Sequence, residues 1–171
     1  LSSSSRLQVM SHVHKVIIVC GSPGAGKSQY GAELAADRKA VLLDIDTVSE
    51  RLVMRSLSML GRDPRDRDSQ FFKDNYREAI YETLFDIAHD NVRHSDVIII
   101  GPFTKELRDN HWPQKLTLRL DAKVEIHYVY CEQTERLERI KARGNPRDEA
   151  KLANWREHNS YYGDEEPPVF P

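Results

Sequence analysis

The sequence has few cysteines and does not group them. Only Cys20 and Cys131 are present, far apart in a chain of 171 residues. No CxxC pair and no cluster of cysteine with histidine occurs, which excludes the usual zinc sites and any disulfide framework. Each cysteine ends a predicted strand, so the two could be neighbours in space. We expect them to be two buried, reduced thiols, as in a cytoplasmic protein.

Long apolar runs and a strong net charge are also lacking. The longest purely apolar runs, near 16–20 and 97–100, have the length of strands and are too short to span a membrane. The net charge of −2 does not favour a dedicated nucleic-acid-binding protein, although it leaves a local basic groove open. Residues 1–9 lack the apolar core of a secretory signal, and we expect an added or disordered segment there. A cytoplasmic location follows by default.

Short apolar segments alternate with helical patterns along the rest of the chain. The predicted strands are 14–20, 40–43, 97–100 and 123–131. The predicted helices are 27–37, 47–60, 69–93, 104–110, 133–143 and 146–158, with an irregular stretch around Trp112 and Pro113. This alternation is typical of a parallel sheet flanked by helices. The sequence therefore predicts a three-layer α/β fold, in a single domain over 10–171, with its ligand at the carboxyl ends of the strands.

A glycine-rich octapeptide directly follows the first predicted strand and precedes the first predicted helix. It fits the pattern Gly-x-x-x-x-Gly-Lys-Ser, with residues Gly21, Ser22, Pro23, Gly24, Ala25, Gly26, Lys27 and Ser28. Glycines allow backbone N–H groups to surround phosphate oxygens, and the positive end of the helix adds to the attraction. Lys27 would reach the outer phosphates, and the Ser28 hydroxyl would bind Mg²⁺. The pattern predicts that a nucleoside triphosphate, ATP with Mg²⁺, binds at this loop.

Two carboxylates follow the second predicted strand. The strand 97–100 ends without an acidic residue, so the arrangement common in motors and transport ATPases is not indicated. Asp44 and Asp46 stand instead at the end of the second strand. The alternation of a strand would direct them to different sides, one toward the metal and one toward a substrate hydroxyl. Alternatively, either residue caps a helix that begins at Thr47.

The octapeptide together with Asp44-Ile45-Asp46 resembles the small P-loop kinases of the shikimate, gluconate, chloramphenicol-phosphotransferase and zeta-toxin type. The resemblance is greatest to the ATP-binding AAA-family members of that group. It implies that Asp46 orients or deprotonates the acceptor hydroxyl and that Asp44 supports the metal. A single glycine and then Pro102 follow the strand 97–100, whereas shikimate kinase has a glycine run, so a shikimate-like acceptor is not indicated.

Four arginines follow the last predicted strand at steps of three or four residues. They are Arg136, Arg139, Arg143 and Arg147. One interpretation is a solvated helix with ordinary ion pairs four residues apart. The other is a lid over about 133–158, which resembles the arginine-bearing lid of small P-loop kinases. That resemblance implies that Arg143 and Arg147 contact the triphosphate, that Arg143 acts in catalysis, and that Arg136 lies nearer the adenine.

These observations predict a phosphotransferase that moves the γ-phosphoryl group of Mg-ATP to a hydroxyl of a small-molecule acceptor. We expect the acceptor to contact Asp46, Arg51, Arg77 and Thr104, although the last three could equally be surface or capping residues. A polynucleotide 5′-hydroxyl kinase is a second interpretation, against which the acidic residues interleaved among the arginines of 51–67 count. A third is a nucleotide-binding regulator that transfers no phosphoryl group.

Overall fold

A parallel sheet forms the centre of the molecule. The computed structural model describes residues 13–155 and 167–171, so the predicted segment 1–9 lies outside the described residues. Within them the sheet has four strands, β1 (Lys15–Cys20), β2 (Val41–Asp44), β3 (Val97–Ile100) and β4 (Lys123–Tyr128). Their order is β2-β3-β1-β4, and every neighbouring pair is parallel. All four predicted strands are present, with β4 ending earlier than expected.

Helices connect the strands, as parallel pairing requires. They are α1 (Lys27–Arg38), α2 (Ile45–Met59), α3 (Gln70–Asn75), α4 (Arg77–Asn91), α5 (Trp112–Leu120), α6 (Gln133–Arg143) and α7 (Glu149–Ala153), with 3₁₀ turns at Glu106–Arg108 and Pro146–Asp148. In the described part of the chain, every helix is too short or too polar to cross a bilayer.

The two faces of β1 bury their side chains in two separate clusters. Val16 and Ile18 pack with the apolar faces of α4 and α5. Ile17 and Val19 face the opposite side and pack with Ala35 of α1 and its neighbours. A strand buried on both faces must be apolar throughout, which is why β1 and β3 read as continuous aliphatic runs. The predicted three-layer α/β fold is confirmed.

The segment predicted as one helix over 69–93 is two helices. Ser69 caps the first, its hydroxyl accepting from the Phe72 amide at 3.1 Å. Tyr76 then leaves helical geometry, with φ −120° and ψ −35°. Its ring stacks on Phe72, and its hydroxyl forms a 2.6 Å hydrogen bond with that of Ser56 on α2. The apolar spacing continues unchanged across the break, so the sequence pattern does not reveal it.

The stretch around Trp112 and Pro113 is helical, contrary to the prediction of an irregular segment. Pro113 lies in the first turn of α5, where a backbone N–H has no helical partner and proline costs nothing. Trp112 is buried beside Phe103, with ring centroids 5.3 Å apart. Three smaller differences concern helix bounds. The second helix, α2, begins at Ile45, and the predicted helix 104–110 is only a 3₁₀ turn. The predicted helix 146–158 is a 3₁₀ turn followed by α7, and its last positions lie outside the described residues.

A nearly buried carboxylate joins the start of the sheet to the end of α1. Asp96, just before β3, accepts from the Lys15 amide at 3.0 Å and from the Arg38 guanidinium at 3.2 Å. His14 lies 3.6 Å from the same carboxylate. Burial by itself raises the pKa of Asp96, but these partners outweigh it and hold the pKa below its ordinary value. The carboxylate therefore stabilises the fold in its charged form.

We expect Asp96→Asn to lower the free energy of unfolding by about 1–3 kcal/mol near neutral pH, because a buried charge-assisted network loses its acceptor. Because folding lowers the pKa of Asp96, its carboxylate contributes its full stabilisation above the unfolded pKa of 3.8. That contribution is lost as the pH falls through the folded pKa. Urea unfolding near pH 7 and near pH 3 should show the difference between variant and wild type shrinking in acid. Asp90→Asn, at an exposed position, is the control and should be neutral. A constant difference at both pH values would contradict this account.

Candidate active site

The loop between β1 and α1 has a shape that only glycine allows. Gly21 and Gly26 have φ values of 136° and 100°, in the left-handed region. A Cβ atom on Gly21 would lie 2.1 Å from the carbonyl oxygen of Val129, just past β4. The loop is therefore closely packed against the chain that leaves β4, and it closes on itself through a 3.2 Å bond from the Ala25 amide to the Ser22 carbonyl.

Lys27, the first residue of α1, turns its ammonium group back into this loop. Its Nζ donates to the Ser22 carbonyl at 2.8 Å. Burial lowers the pKa of Lys27 to about 8, although attraction to the Asp46 carboxylate opposes the shift. An ammonium group in so poorly hydrated a position is stabilised by any anion that approaches it. The loop therefore has the electrostatics of a phosphate-binding site.

The next residue links the loop to the end of β2. The Ser28 hydroxyl donates to Oδ2 of Asp44 at 2.9 Å. The other oxygen of Asp44 accepts from the Asp46 amide at 2.9 Å and so caps α2. The cap predicted for a helix beginning at Thr47 is thus formed two residues earlier. Asp46 lies in the first helical turn rather than on a strand, so strand alternation does not set its direction, and both carboxylates line the same cavity. That one faces the metal and the other a substrate hydroxyl stays a prediction.

The oxygen pair of Ser28 and Asp44 fits a magnesium ion. Mg²⁺ is usually held by one or two protein oxygens and completes its shell with water and substrate phosphates. In the described part of the chain, no group of three or more His, Cys, Asp or Glu side chains could enclose a metal alone. The donor set therefore suits a metal that arrives with phosphate, as the sequence predicts, and not a permanently enclosed ion.

A cavity of about 590 Å³ opens beside the loop, a size typical of small-ligand sites. It runs from the loop past the start of α2 to the junction of α3 and α4. The predicted site residues that line it are Pro23, Gly24, Gly26, Lys27, Ser28, Asp44, Asp46, Arg77, Thr104 and Arg143. Arg51, predicted to contact substrate, is exposed on α2 and does not line it. Arg136 is 1% exposed and does not line it either.

The arginines of α6 take different positions around the loop. Arg143 lines the cavity, and its Nε and Nη2 bind the fully buried Asp148 at 2.6 and 2.8 Å. Arg139, for which the sequence indicates a surface pair with Glu135, forms that pair and also donates to the Ala25 carbonyl at 3.1 Å. It lines the cavity as well. The side chain of Arg147 lies outside the described residues.

The sequence did not predict one wall of the cavity. It is formed by the end of the 62–68 loop, by α3 and by the first turn of α4. Its residues are Arg67, Asp68, Phe72, Lys73, Ile80 and Tyr81. The sequence pattern indicates a polar loop and inward-packing aromatic residues, and both descriptions are compatible with a cavity wall. Only the break at Tyr76, which the apolar spacing conceals, would have indicated a change of direction there.

A family model described as an AAA domain matches residues 16–166, most of the chain. The chain belongs to the AAA domain family. The match begins within β1 and includes the glycine-rich loop, the Asp44–Asp46 corner and α6. No curated protein matches the sequence.

Three solved structures share the fold of this AAA domain. A candidate kinase from Chloroflexus aurantiacus is 19% identical with a TM-score of 0.56, over 94% of this chain and 81% of that one. A sugar kinase from Janibacter sp. HTCC2649 is 13% identical with a TM-score of 0.56, over 93% and 84%. A chain of the Pnkp1/Rnl/Hen1 RNA repair complex is 16% identical with a TM-score of 0.51, over 95% of this chain but only 50% of that one. At these identities the likeness shows the fold alone, which is the α/β fold that the sequence predicts.

Because the pKa of Lys27 is low, the proton uptake that accompanies ATP binding at the loop should depend on pH. A bound polyphosphate should raise that pKa again, so binding near pH 9 should take up close to one proton, whereas near pH 7 the amine is already charged. Calorimetric titration of ATP with Mg²⁺ in buffers of different ionisation enthalpy measures the uptake at each pH. Lys27→Arg, which carries a permanent charge, should bind without it. Equal proton uptake by wild type and Lys27→Arg near pH 9 would show that another group titrates.

Proposed function

We propose that this AAA domain transfers the γ-phosphoryl group of Mg-ATP to a hydroxyl group of a small-molecule acceptor. The observation that carries the proposal is the shared cavity. Lys27, the Ser28–Asp44 pair and Asp46 line one continuous space, which extends beyond the loop toward Arg77. A site that only bound nucleotide would not need a second compartment next to its phosphate end.

At the phosphate end, the residues supply positive charge in fixed positions. Ser28 and Asp44 would hold Mg²⁺, which supplies charge neutralisation to the phosphates when bound. Lys27 lies inside the loop, and Arg143 is held in one orientation by its two bonds to Asp148. Positive groups that are already oriented stabilise a migrating phosphoryl group without reorganisation. We assign this role to Lys27 and Arg143.

Arg139 adds a contact that ties α6 to the loop. Its bond to the Ala25 carbonyl connects the predicted lid to the phosphate-binding backbone. In the proposed cycle the segment from about 133 to 158 closes over the nucleotide, excludes water from the phosphoryl group and so favours the acceptor over hydrolysis. Arg136, buried behind Gly24, and Arg147 remain candidates for nucleotide contact.

Asp46 is the proposed general base. It lies in the first turn of α2, two residues after Asp44, which accepts from both Ser28 and the Asp46 amide, so a metal-bound phosphate and the carboxylate would be close neighbours. In the transfer, the acceptor oxygen attacks the γ-phosphorus, its proton passes to the Asp46 carboxylate, and the bond to the β-phosphate oxygen breaks to release ADP. Orienting the hydroxyl is the other contribution that this carboxylate can make.

The polynucleotide 5′-hydroxyl kinase is the second candidate, because a chain of an RNA repair complex shares the fold. Two of the arginines that would bind a strand, Arg62 and Arg65, have partners within the protein. The Arg62 guanidinium lies 3.4 Å from the centre of the Phe71 ring, and Arg65 pairs with Asp63 at 3.6 Å and Glu149 at 3.7 Å. These contacts support the small-molecule proposal over the polynucleotide one.

We expect Lys27→Ala to abolish transfer of label from γ-labelled ATP to a small-metabolite extract. Asp46→Asn should bind ATP with unchanged affinity and lose about two to four orders of magnitude in turnover, the usual contribution of a general base. Asp37→Asn, on the exposed side of α1 and outside the cavity, is the matched control and should behave as wild type.

Three results would contradict the proposal in different ways. Wild-type turnover in Asp46→Asn would remove Asp46 from the mechanism. Label transferred to a 5′-hydroxyl oligonucleotide, with activity that falls steeply as salt is raised, would favour the polynucleotide kinase. Tight ATP binding with no phosphorylated product in either assay would favour a regulator.

A further inference from the structure

The part of the cavity farthest from the loop is rich in positive charge. Arg67, Lys73 and Arg77 all line it, at the end of the 62–68 loop, on α3 and at the start of α4. We call these three residues with their apolar neighbours the distal pocket. The phosphate end has its own cations in Lys27, Arg139 and Arg143, so the distal set is not needed to bind the triphosphate.

Arg77 is held rigidly at this position. Its Nη2 donates to Glu106 at 3.2 Å and to the Thr104 hydroxyl at 3.4 Å. Its guanidinium carbon lies 5.4 Å from the centre of the Tyr81 ring. Burial raises the pKa of Tyr81 to about 12, so the phenol stays neutral beside the cation. An arginine fixed from several sides loses little conformational entropy when it binds a further group.

Arg67 is held in a similar way from the other side. Its Nη1 donates to the backbone carbonyls of Pro64 at 3.0 Å and Asp66 at 2.6 Å. Its guanidinium carbon lies 5.4 Å from the centre of the Phe72 ring. Lys73, the residue after Phe72 on α3, lines the same cavity.

Cations outnumber carboxylates among the described residues of the distal pocket. Asp68 lines the cavity, and Glu106 pairs with Arg77. Three cations and one carboxylate of the described residues line this part of the cavity, which suits an acceptor with an anionic group.

Apolar and aromatic side chains line the cavity beside these charges. They are Ile45, Phe72, Ile80 and Tyr81. Phe72 and Tyr76 stack at 5.5 Å, which keeps the Phe72 ring in place. Hydroxyl groups of a polyhydroxylated sugar that faced these side chains would lack partners, and unmade hydrogen bonds in a buried site are costly. A ring or hydrocarbon body would instead be well accommodated.

We propose that the acceptor is a small alcohol with one anionic group and an apolar or aromatic body. The anionic group, a carboxylate or a phosphate ester, binds Arg67, Lys73 and Arg77 in the distal pocket. The body rests on the Phe72 and Tyr81 side, and the hydroxyl is directed at Asp46. This inference rests on the proposed function, because it assigns the acceptor of that same transfer.

The first test separates the acceptor pool by chemistry before phosphorylation. A metabolite extract is passed over an anion exchanger, the retained fraction is divided on a reversed-phase column, and each fraction is incubated with enzyme and γ-labelled ATP. We expect the label in material that both columns retain. Mild alkaline phosphatase treatment of that fraction before the incubation distinguishes the sources: a phosphate-ester acceptor loses its retention on the exchanger, and a carboxylic acid keeps it.

The second test measures the distal residues on the labelled fraction. Lys73→Gln and Arg77→Gln should each raise KM for the acceptor by about ten- to a hundredfold, since each removes a charged hydrogen-bond donor, while KM for ATP stays within about twofold of its wild-type value. Arg93→Gln, an exposed arginine in the turn before β3 and outside the cavity, is the control. The Lys73 variant tests the anion site without breaking the bond between Arg77 and Glu106, which also has a structural role.

The outcomes are distinguishable from those of the proposed function. Label in the unretained fraction, or on a neutral sugar, would overturn the anionic acceptor and leave the kinase proposal standing. An unchanged acceptor KM in both variants would overturn the distal pocket as the anion site. Label in none of the fractions would overturn the proposed function, and the inference with it.

Discussion

The geometry of the site depends on the hydrogen bonds that the Asp44 carboxylate accepts. One of its oxygens caps α2 and the other accepts from Ser28, so a single side chain joins the start of α2 to the start of α1. These two helices follow β1 and β2, which are separated in the sheet by β3. The bond therefore spans the carboxyl edge of the sheet and fixes Asp46 relative to Lys27. Loss of this carboxylate would affect the cap, the proposed metal ligand and the proposed base together.

The two ends of the cavity keep their positively charged side chains in place in different ways. At the loop, desolvation of the Lys27 ammonium group lowers its pKa to about 8. At the distal pocket, arginines are kept charged and oriented by carbonyls, aromatic rings and one carboxylate. The first arrangement is sensitive to pH and gains most from a highly charged ligand. The second suits a group of low charge, so in the proposed function the two ends would select different partners.

The sequence was sufficient where function depends on consecutive residues. The octapeptide at 21–28 predicted the loop, the first residue of α1 and the fold class, because glycines so spaced between an aliphatic strand and a helix are specific to phosphate-binding loops. It was insufficient where a contact joins distant segments. The helix break at Tyr76 depends on Ser56 of another helix, and the role of Arg139 depends on the Ala25 carbonyl. Neither contact changes the local spacing of apolar residues, so the sequence pattern does not reveal it.

The close approach of Gly21 to the Val129 carbonyl has a consequence for how the protein folds. β1 is made first, yet both of its neighbours come much later in the chain, and its last carbonyls accept from Gly101 and Val129. Neither neighbour of β1 in the sheet is available until β3 and β4 have been synthesised. Contacts of such long sequence separation slow folding. The phosphate-binding loop is therefore completed only when β4 docks, and a product that ended before β4 would lack it.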